Sequence, residues 1–306
     1  MNQSTHEILA PPMEAVRPQT AEQGIASEIA VLTKARLTML VLITTFIGVC
    51  MASGERIDWL LLLNTLLGTA LVAGSAAVLN QCIEMNVDRL MERTKTRPLP
   101  SGRMKLSTAL KIGLGMGAAG LVYLALTTNF SATLLAAVTL AIYLLWYTPM
   151  KRRSPFCITI GAVAGAIPPV IGWVAAKPSL GAGAWILFGV LFLWQIPHFM
   201  AIAWMYHDEY AQAGFVMLRR NDIGGFATAF ESLCYTGALA VVTLLPPALK
   251  MTSFVYLPGA VLFNAIMFLC AVQFLLRRDR ASARRLFFAS ILYLPCVLGL
   301  LVFTRL

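Results

Sequence analysis

Residues 80–100 read Asn80-Gln81-Cys82-Ile83-Glu84-Met85-Asn86-Val87-Asp88-Arg89-Leu90-Met91-Glu92-Arg93-Thr94-Lys95-Thr96-Arg97-Pro98-Leu99-Pro100. The stretch closes an apolar run that begins near Asp58, so a hydrophobic helix runs straight into amides, carboxylates and guanidinium groups. Asn80, Glu84 and Asp88 stand at i, i+4 and i+8. On an α-helix each step of four turns about 40° and rises about 6 Å, which lays the three side chains in one oxygen-rich stripe roughly 12 Å long. Arg89, Arg93, Lys95, Arg97 and Arg103 follow closely. Acidic oxygens beside guanidinium groups at the end of a membrane helix suit a magnesium-bridged polyphosphate.

The whole chain agrees with that reading. Its 306 residues are 58% hydrophobic and only 12% charged, and its mean hydropathy is +0.75. Soluble domains carry about 25% charged residues. Stretches of about 20 apolar residues read as membrane spans, and nine occur, near 34–53, 58–84, 108–127, 131–147, 156–175, 182–206, 228–249, 254–276 and 285–304. Several hold glycine or proline (Gly161, Gly165, Pro168, Pro169, Pro197, Pro246, Pro247), which membrane helices tolerate where neighbours re-satisfy the backbone. The expected fold is an all-α integral membrane bundle over 31–306, preceded by a disordered cytoplasmic tail over 1–30. That tail lacks a basic segment followed by an apolar one, so it is no cleavable signal peptide.

Lysine and arginine fix the expected orientation. With the N-terminus inside, only Arg56, Lys177, Lys250 and Arg305 of the 24 basic residues fall outside, which puts the C-terminus on the outer side. The net charge of +10 is thereby accounted for without a nucleic-acid partner. The six cysteines show no CxxC spacing, so neither a zinc site nor a disulfide framework is indicated.

Two inside loops are long, those after the second and sixth spans, and loops of such length usually carry function or are disordered. The first follows the Asn80–Asp88 stripe, whose polar groups at a span's edge are costly and so point to function. The second follows Trp194-Gln195-Ile196-Pro197-His198-Phe199 and holds Asp208 and Glu209, which taken alone read equally well as interfacial acids. Gln195 and His198 are i, i+3 neighbours on an apolar helix, where a histidine serves as hydrogen-bonded packing or as a ligand. Lys151-Arg152-Arg153, after Trp146-Tyr147-Thr148-Pro149, reads by composition as a basic turn for anionic lipid heads.

The stripe and its basic loop resemble the first acidic motif of the UbiA superfamily of intramembrane prenyltransferases. Within it, the stretches Asp88–Pro100, Trp146–Arg152, Trp194–Phe199 and Asp208-Glu209-Tyr210 through Ala213-Gly214 and Met217-Leu218 are similar to the branch that farnesylates protohaem IX. The resemblance runs over about 34–300. It departs at Glu84, where the superfamily often has Asp, and in the second motif, whose only acids are Asp208 and Glu209.

The resemblance implies farnesyl transfer from farnesyl diphosphate to a vinyl group of haem b, with addition of water. It implies Mg²⁺ held by Asn80, Glu84 and Asp88 with Asp208 and Glu209, and Lys151 as a catalytic cation. Arg89, Arg93, Lys95, Arg97 and Arg152 become diphosphate contacts, and Gln195 and His198 haem contacts. An apolar tunnel walled by the Gly161–Pro169 segment would take the farnesyl tail. The setting implied is a bacterial inner membrane with the site facing the cytoplasm. A haem-modifying enzyme or terminal oxidase is a candidate partner for the arginine-rich 277–285 loop. Three rivals are an aromatic quinone precursor as acceptor, a transporter and a structural subunit. A quinone enzyme predicts a more acidic second motif, a transporter needs ionisable groups at the bilayer midplane, and a structural subunit has no use for the stripe.

Overall fold

The computed structural model describes residues 24–54, 56–219 and 222–306. Among them nine helices are long and apolar enough to cross a membrane. They are α1 Ala35–Ala52, α2 Trp59–Asp88, α3 Leu106–Thr127, α4 Phe130–Met150, α5 Cys157–Ala176, α6 Ala182–Met205, α7 Phe226–Thr243, α8 Tyr256–Arg277 and α9 Arg280–Phe303. The all-α membrane bundle expected from the sequence is what the chain forms.

Local chemistry sets several boundaries. Asp58 opens α2 by accepting from the Leu60 and Leu61 amides, both at 3.0 Å. Asp279 does the same for α9 through the Ser282 amide at 2.7 Å, satisfying a donor that has no partner within the helix. Since α8 ends at Arg277 and α9 begins at Arg280, the arginine-rich segment is two helix ends around a two-residue turn, not an extended loop.

Four expectations are adjusted. Helix α2 continues to Asp88 rather than 84, so the whole stripe is helical. Helix α7 stops at Thr243, short of 249, because Pro246 and Pro247 lack the amide protons a helix needs; both lie in the turn that follows. Helix α5 is two segments, Cys157–Ala166 and Pro168–Ala176, joined at Ile167 ahead of the proline pair. Of the tail expected to be disordered over 1–30, residues 1–23 lie outside the described residues, whereas Ile25–Leu32 is helical and Leu32 is fully buried.

The packing order places α5 at the centre. It is 72% buried, against 11% for α4, which faces outward along most of its length. Helix α1 lies along the second segment of α5, α2 along α3, and α6 against α5, α7 and α9, with α7, α8 and α9 joined in sequence. Without a hydrophobic drive between helices in lipid, close packing of small residues does the work. On α3, Gly113, Gly117 and Gly120 face Leu79, Ser75 and Val72 of α2 at a spacing a methyl group would violate, and the Ser75 hydroxyl donates to the Gly113 carbonyl at 2.7 Å.

Candidate active site

Helix α2 carries the stripe into the bundle rather than into water. Asn80 is 0%, Glu84 8% and Asp88 3% exposed. Such burial is tolerable only where each polar group has a partner, and each has one. The Glu84 carboxylate accepts from Lys151 Nζ at 2.8 Å. Asp88 accepts from the Arg97 guanidinium at 2.7 Å. Asn80 Oδ1 accepts from Lys34 Nζ at 2.9 Å, while its Nδ2 donates to the Thr148 hydroxyl at 3.1 Å. Three oxygen-bearing residues in a row thus meet three cations, one each.

Lys151 meets Glu84 from just beyond the end of α4, where the helix is underwound. Residues Ile142–Tyr147 form a π-helical turn, a feature frequent at functional sites. It sets Lys151 Nζ 4.5 Å above the Tyr147 ring centre, with Tyr147 itself against Gly161 of α5. Burial works against the Lys151 ammonium, but the facing Tyr147 and Glu84 more than offset it, and its pKa lies above the ordinary lysine value.

The long loops close over this end of the bundle. The Thr94 hydroxyl donates to the Asp88 carbonyl at 2.8 Å, folding the 89–105 segment back so that Arg97 meets Asp88. The second loop docks where the Val216 amide donates to the Lys151 carbonyl at 2.7 Å. Burial raises the pKa of Tyr210 on the short helix His207–Gln212, with the charges of Arg93 and Lys151 pulling the other way. Beside the Lys151 turn lies an apolar groove of about 360 Å³, lined by Pro155, Ile158, Met200, Met217, Leu218 and Tyr235 among others.

The other expected site residues are placed less directly. Arg89 donates to the Pro100 carbonyl at 3.2 Å and shapes the loop; Lys95 pairs with Glu92 at 2.6 Å; Arg93 and Arg152 are exposed. Asp208 and Glu209 are exposed, Asp208 by 82%, and do not join the stripe. Gln195 turns to α5, donating to the Ala162 carbonyl at 3.3 Å, with Gly165 against its amide. His198 turns instead to α9: its Nδ1 is 2.7 Å from the Ser290 hydroxyl, and its ring stacks between Trp194 and Phe287. Gln195 and His198 therefore do not share one cavity. The Gly161 and Gly165 surfaces of α5, expected to wall a tunnel, are covered by Tyr147 and Gln195.

Lys34 is the residue the sequence did not mark. It looks like a positive-inside flank, yet it hydrogen-bonds the first member of the stripe.

Among the described residues no three His, Cys, Asp or Glu side chains meet as a metal cluster. Magnesium needs less, since it binds through one or two carboxylates with substrate phosphates and water. Glu84, Asp88 and the Asn80 amide oxygen, buried in one row, are a donor set of that kind.

A nine-helix bundle with buried carboxylates and cations at one end is the architecture of an intramembrane prenyltransferase, and the chain belongs to the UbiA prenyltransferase family, whose model matches residues 41–292. Its relatives include the protoheme IX farnesyltransferase of Solibacter usitatus, 44% identical and covering 90% of this chain and 97% of that one. That of Opitutus terrae is also 44% identical, over 90% and 93%. Among solved structures, a digeranylgeranylglyceryl phosphate synthase superposes with a TM-score of 0.79 at 20% identity, covering 91% of this chain and 98% of that one. A UbiA homolog from Archaeoglobus fulgidus bound to GPP and Mg²⁺ does so at 0.64 and 12%, covering 90% and 99%. These two likenesses concern the fold.

Proposed function

We propose that the protein transfers the farnesyl group of farnesyl diphosphate to a vinyl group of haem b with addition of water, giving haem O and diphosphate. The observation that carries this reading is the 44% identity, across nine-tenths of the chain, to relatives named protoheme IX farnesyltransferase. The site supports the chemistry. Breaking the allylic C–O bond leaves negative charge on the diphosphate, and fixed cations aimed at that charge lower the barrier. Lys151 and Arg97 stand inside the site for that role, and Arg97 offers the paired donors that suit phosphate oxygens. Arg93 and Arg152, exposed at the same end, draw the diphosphate in; Arg89 and Lys95 support them from the loop.

Asn80, Glu84 and Asp88 would hold Mg²⁺. When bound, the ion supplies charge neutralisation at the diphosphate. Asp208 and Glu209 lie exposed at the same end, outside the row that would hold the ion. The apolar groove beside the Lys151 turn offers a wall for the acceptor macrocycle. We place the protein in a bacterial inner membrane, with the N-terminus and the site on the cytoplasmic face.

The deciding experiment is a product assay. Purified protein is incubated with haem b, farnesyl diphosphate and Mg²⁺, and the extracted haem is examined by mass spectrometry. A haem heavier by one farnesyl group and one hydroxyl is expected. Unmodified haem from verifiably folded protein would overturn the acceptor assignment and turn attention to aromatic quinone precursors.

A further inference from the structure

We infer that Lys34 is a third diphosphate-binding cation of this site, carried there by the helix Ile25–Leu32 as a strap across the inner end of the bundle. The inference rests on the proposed prenyl diphosphate substrate and names a residue of that same site.

Three observations bear on it. The strap is fastened at both ends of its length. Glu28 pairs with Arg103 of the first long loop at 2.6 Å, and Leu32 is fully buried in a small cluster with Val78, Leu99 and Ala109. Gln81, the neighbour of Asn80, donates its amide to the Leu32 and Val31 carbonyls at 2.6 and 3.2 Å. Those carbonyls stand at a helix C-terminus, where the Val31 carbonyl also accepts the Lys34 amide at 3.2 Å and the Leu32 carbonyl has no partner within the helix.

Lys34 then turns the chain from the strap into α1 with a left-handed backbone, φ 49° and ψ 52°. A non-glycine residue there is strained. Lys250 and Arg278 share that conformation, so the backbone alone singles out nothing. The side chain does: its ammonium donates to Asn80 Oδ1 at 2.9 Å, in line with Lys151 on Glu84 and Arg97 on Asp88.

The partner explains why this is a ligand contact rather than a resting pair. Glu84 and Asp88 each neutralise the cation they hold, whereas Asn80 is uncharged. Lys34 is thus the one member of the row whose positive charge is left uncompensated by its partner. A diphosphate entering the row supplies the anionic oxygens that Asn80 does not.

The test uses the full chain in phosphatidylcholine vesicles with Mg²⁺ and farnesyl diphosphate but no haem, and reads the dissociation constant by calorimetry. In Lys34→Asn, asparagine tolerates the left-handed turn while removing the ammonium. We expect affinity for farnesyl diphosphate to fall about 10- to 100-fold, as for loss of one charged hydrogen bond, and the melting temperature to hold. Lys34→Arg should recover most of the loss. A positioning role is separated by repeating Lys34→Asn in an Asn80→Ala background: a further loss of affinity supports direct contact, and no further loss overturns it. An unchanged dissociation constant in Lys34→Asn would also overturn it. Because no acceptor is present, a failure of the haem assignment leaves this result readable, whereas wild-type protein that binds no farnesyl diphosphate would defeat both.

Discussion

At the scale of single residues, what matters is which side chain faces which. Lys151→Met keeps the length of the stem but leaves Glu84 buried without its cation. Removing one partner of a buried pair costs about 3–5 kcal/mol; the Lys151–Glu84 pair is roughly a tenth exposed, so the lower half of that range applies. We expect a visibly lower melting temperature and a loss of transfer of at least about 100-fold, as for removal of one transition-state donor; full turnover would remove Lys151 from the site. His198→Ala makes the opposite case. Its imidazole touches Ser290, Trp194 and Phe287 of the α6–α9 seam, so the variant should lose about 1–3 kcal/mol of stability and keep its KM for farnesyl diphosphate. An absorbance titration with haem b completes the test, and weakened haem binding at unchanged stability would return His198 to the acceptor site. The stripe was legible because i, i+4, i+8 spacing survives any packing. The direction of His198 was not, since i, i+3 positions diverge enough to meet different neighbours and the sequence does not say which helix covers which.

Elements set how those residues are held. The π-helical turn at the end of α4 gives Tyr147 and Lys151 their register, and the seat for Tyr147 is the missing side chain of Gly161. A methyl group at 161 would come within 2.7 Å of the Tyr147 ring. Gly161→Ala should therefore cost about 1–3 kcal/mol by overpacking and weaken farnesyl diphosphate binding by shifting Lys151. Calorimetry on both properties checks it, and a tolerated alanine with native affinity would show that the ring moves freely. Hydropathy shows only that a helix lies here; the extra residue in its turn depends on the match between Tyr147 and Gly161 across two helices. The strap was hidden for a similar reason. Lys34 and Asn80 are 46 residues apart in sequence, and nothing local announces their bond.

For the whole molecule, the number of spans matters more than any one of them. Among the described residues nine helices are long and apolar enough to cross, an odd number that would leave the start of α1 and the end of α9 on opposite faces, and we propose from the basic residues which face is which. Reporter fusions test that choice. Alkaline phosphatase, active only outside, should work when joined after Leu306 and fail when joined before Met1, and the reverse pattern would invert the assignment. Composition and charge sufficed for the fold because lipid punishes every unpaired backbone group and so leaves helices as the solution. They could not reveal that α5 is the buried axis, a property of how the helices close around it.

The pairing of the row has one more consequence. A cleft of bare cations would fill with salt ions from solution, and each arriving ligand would have to displace them. Here Glu84 and Asp88 already serve Lys151 and Arg97 as built-in counter-ions. Ionic strength should thus govern how quickly the exposed Arg93 and Arg152 gather a diphosphate at the rim, while the grip of Lys151 and Arg97 deeper in the bundle stays nearly indifferent to it.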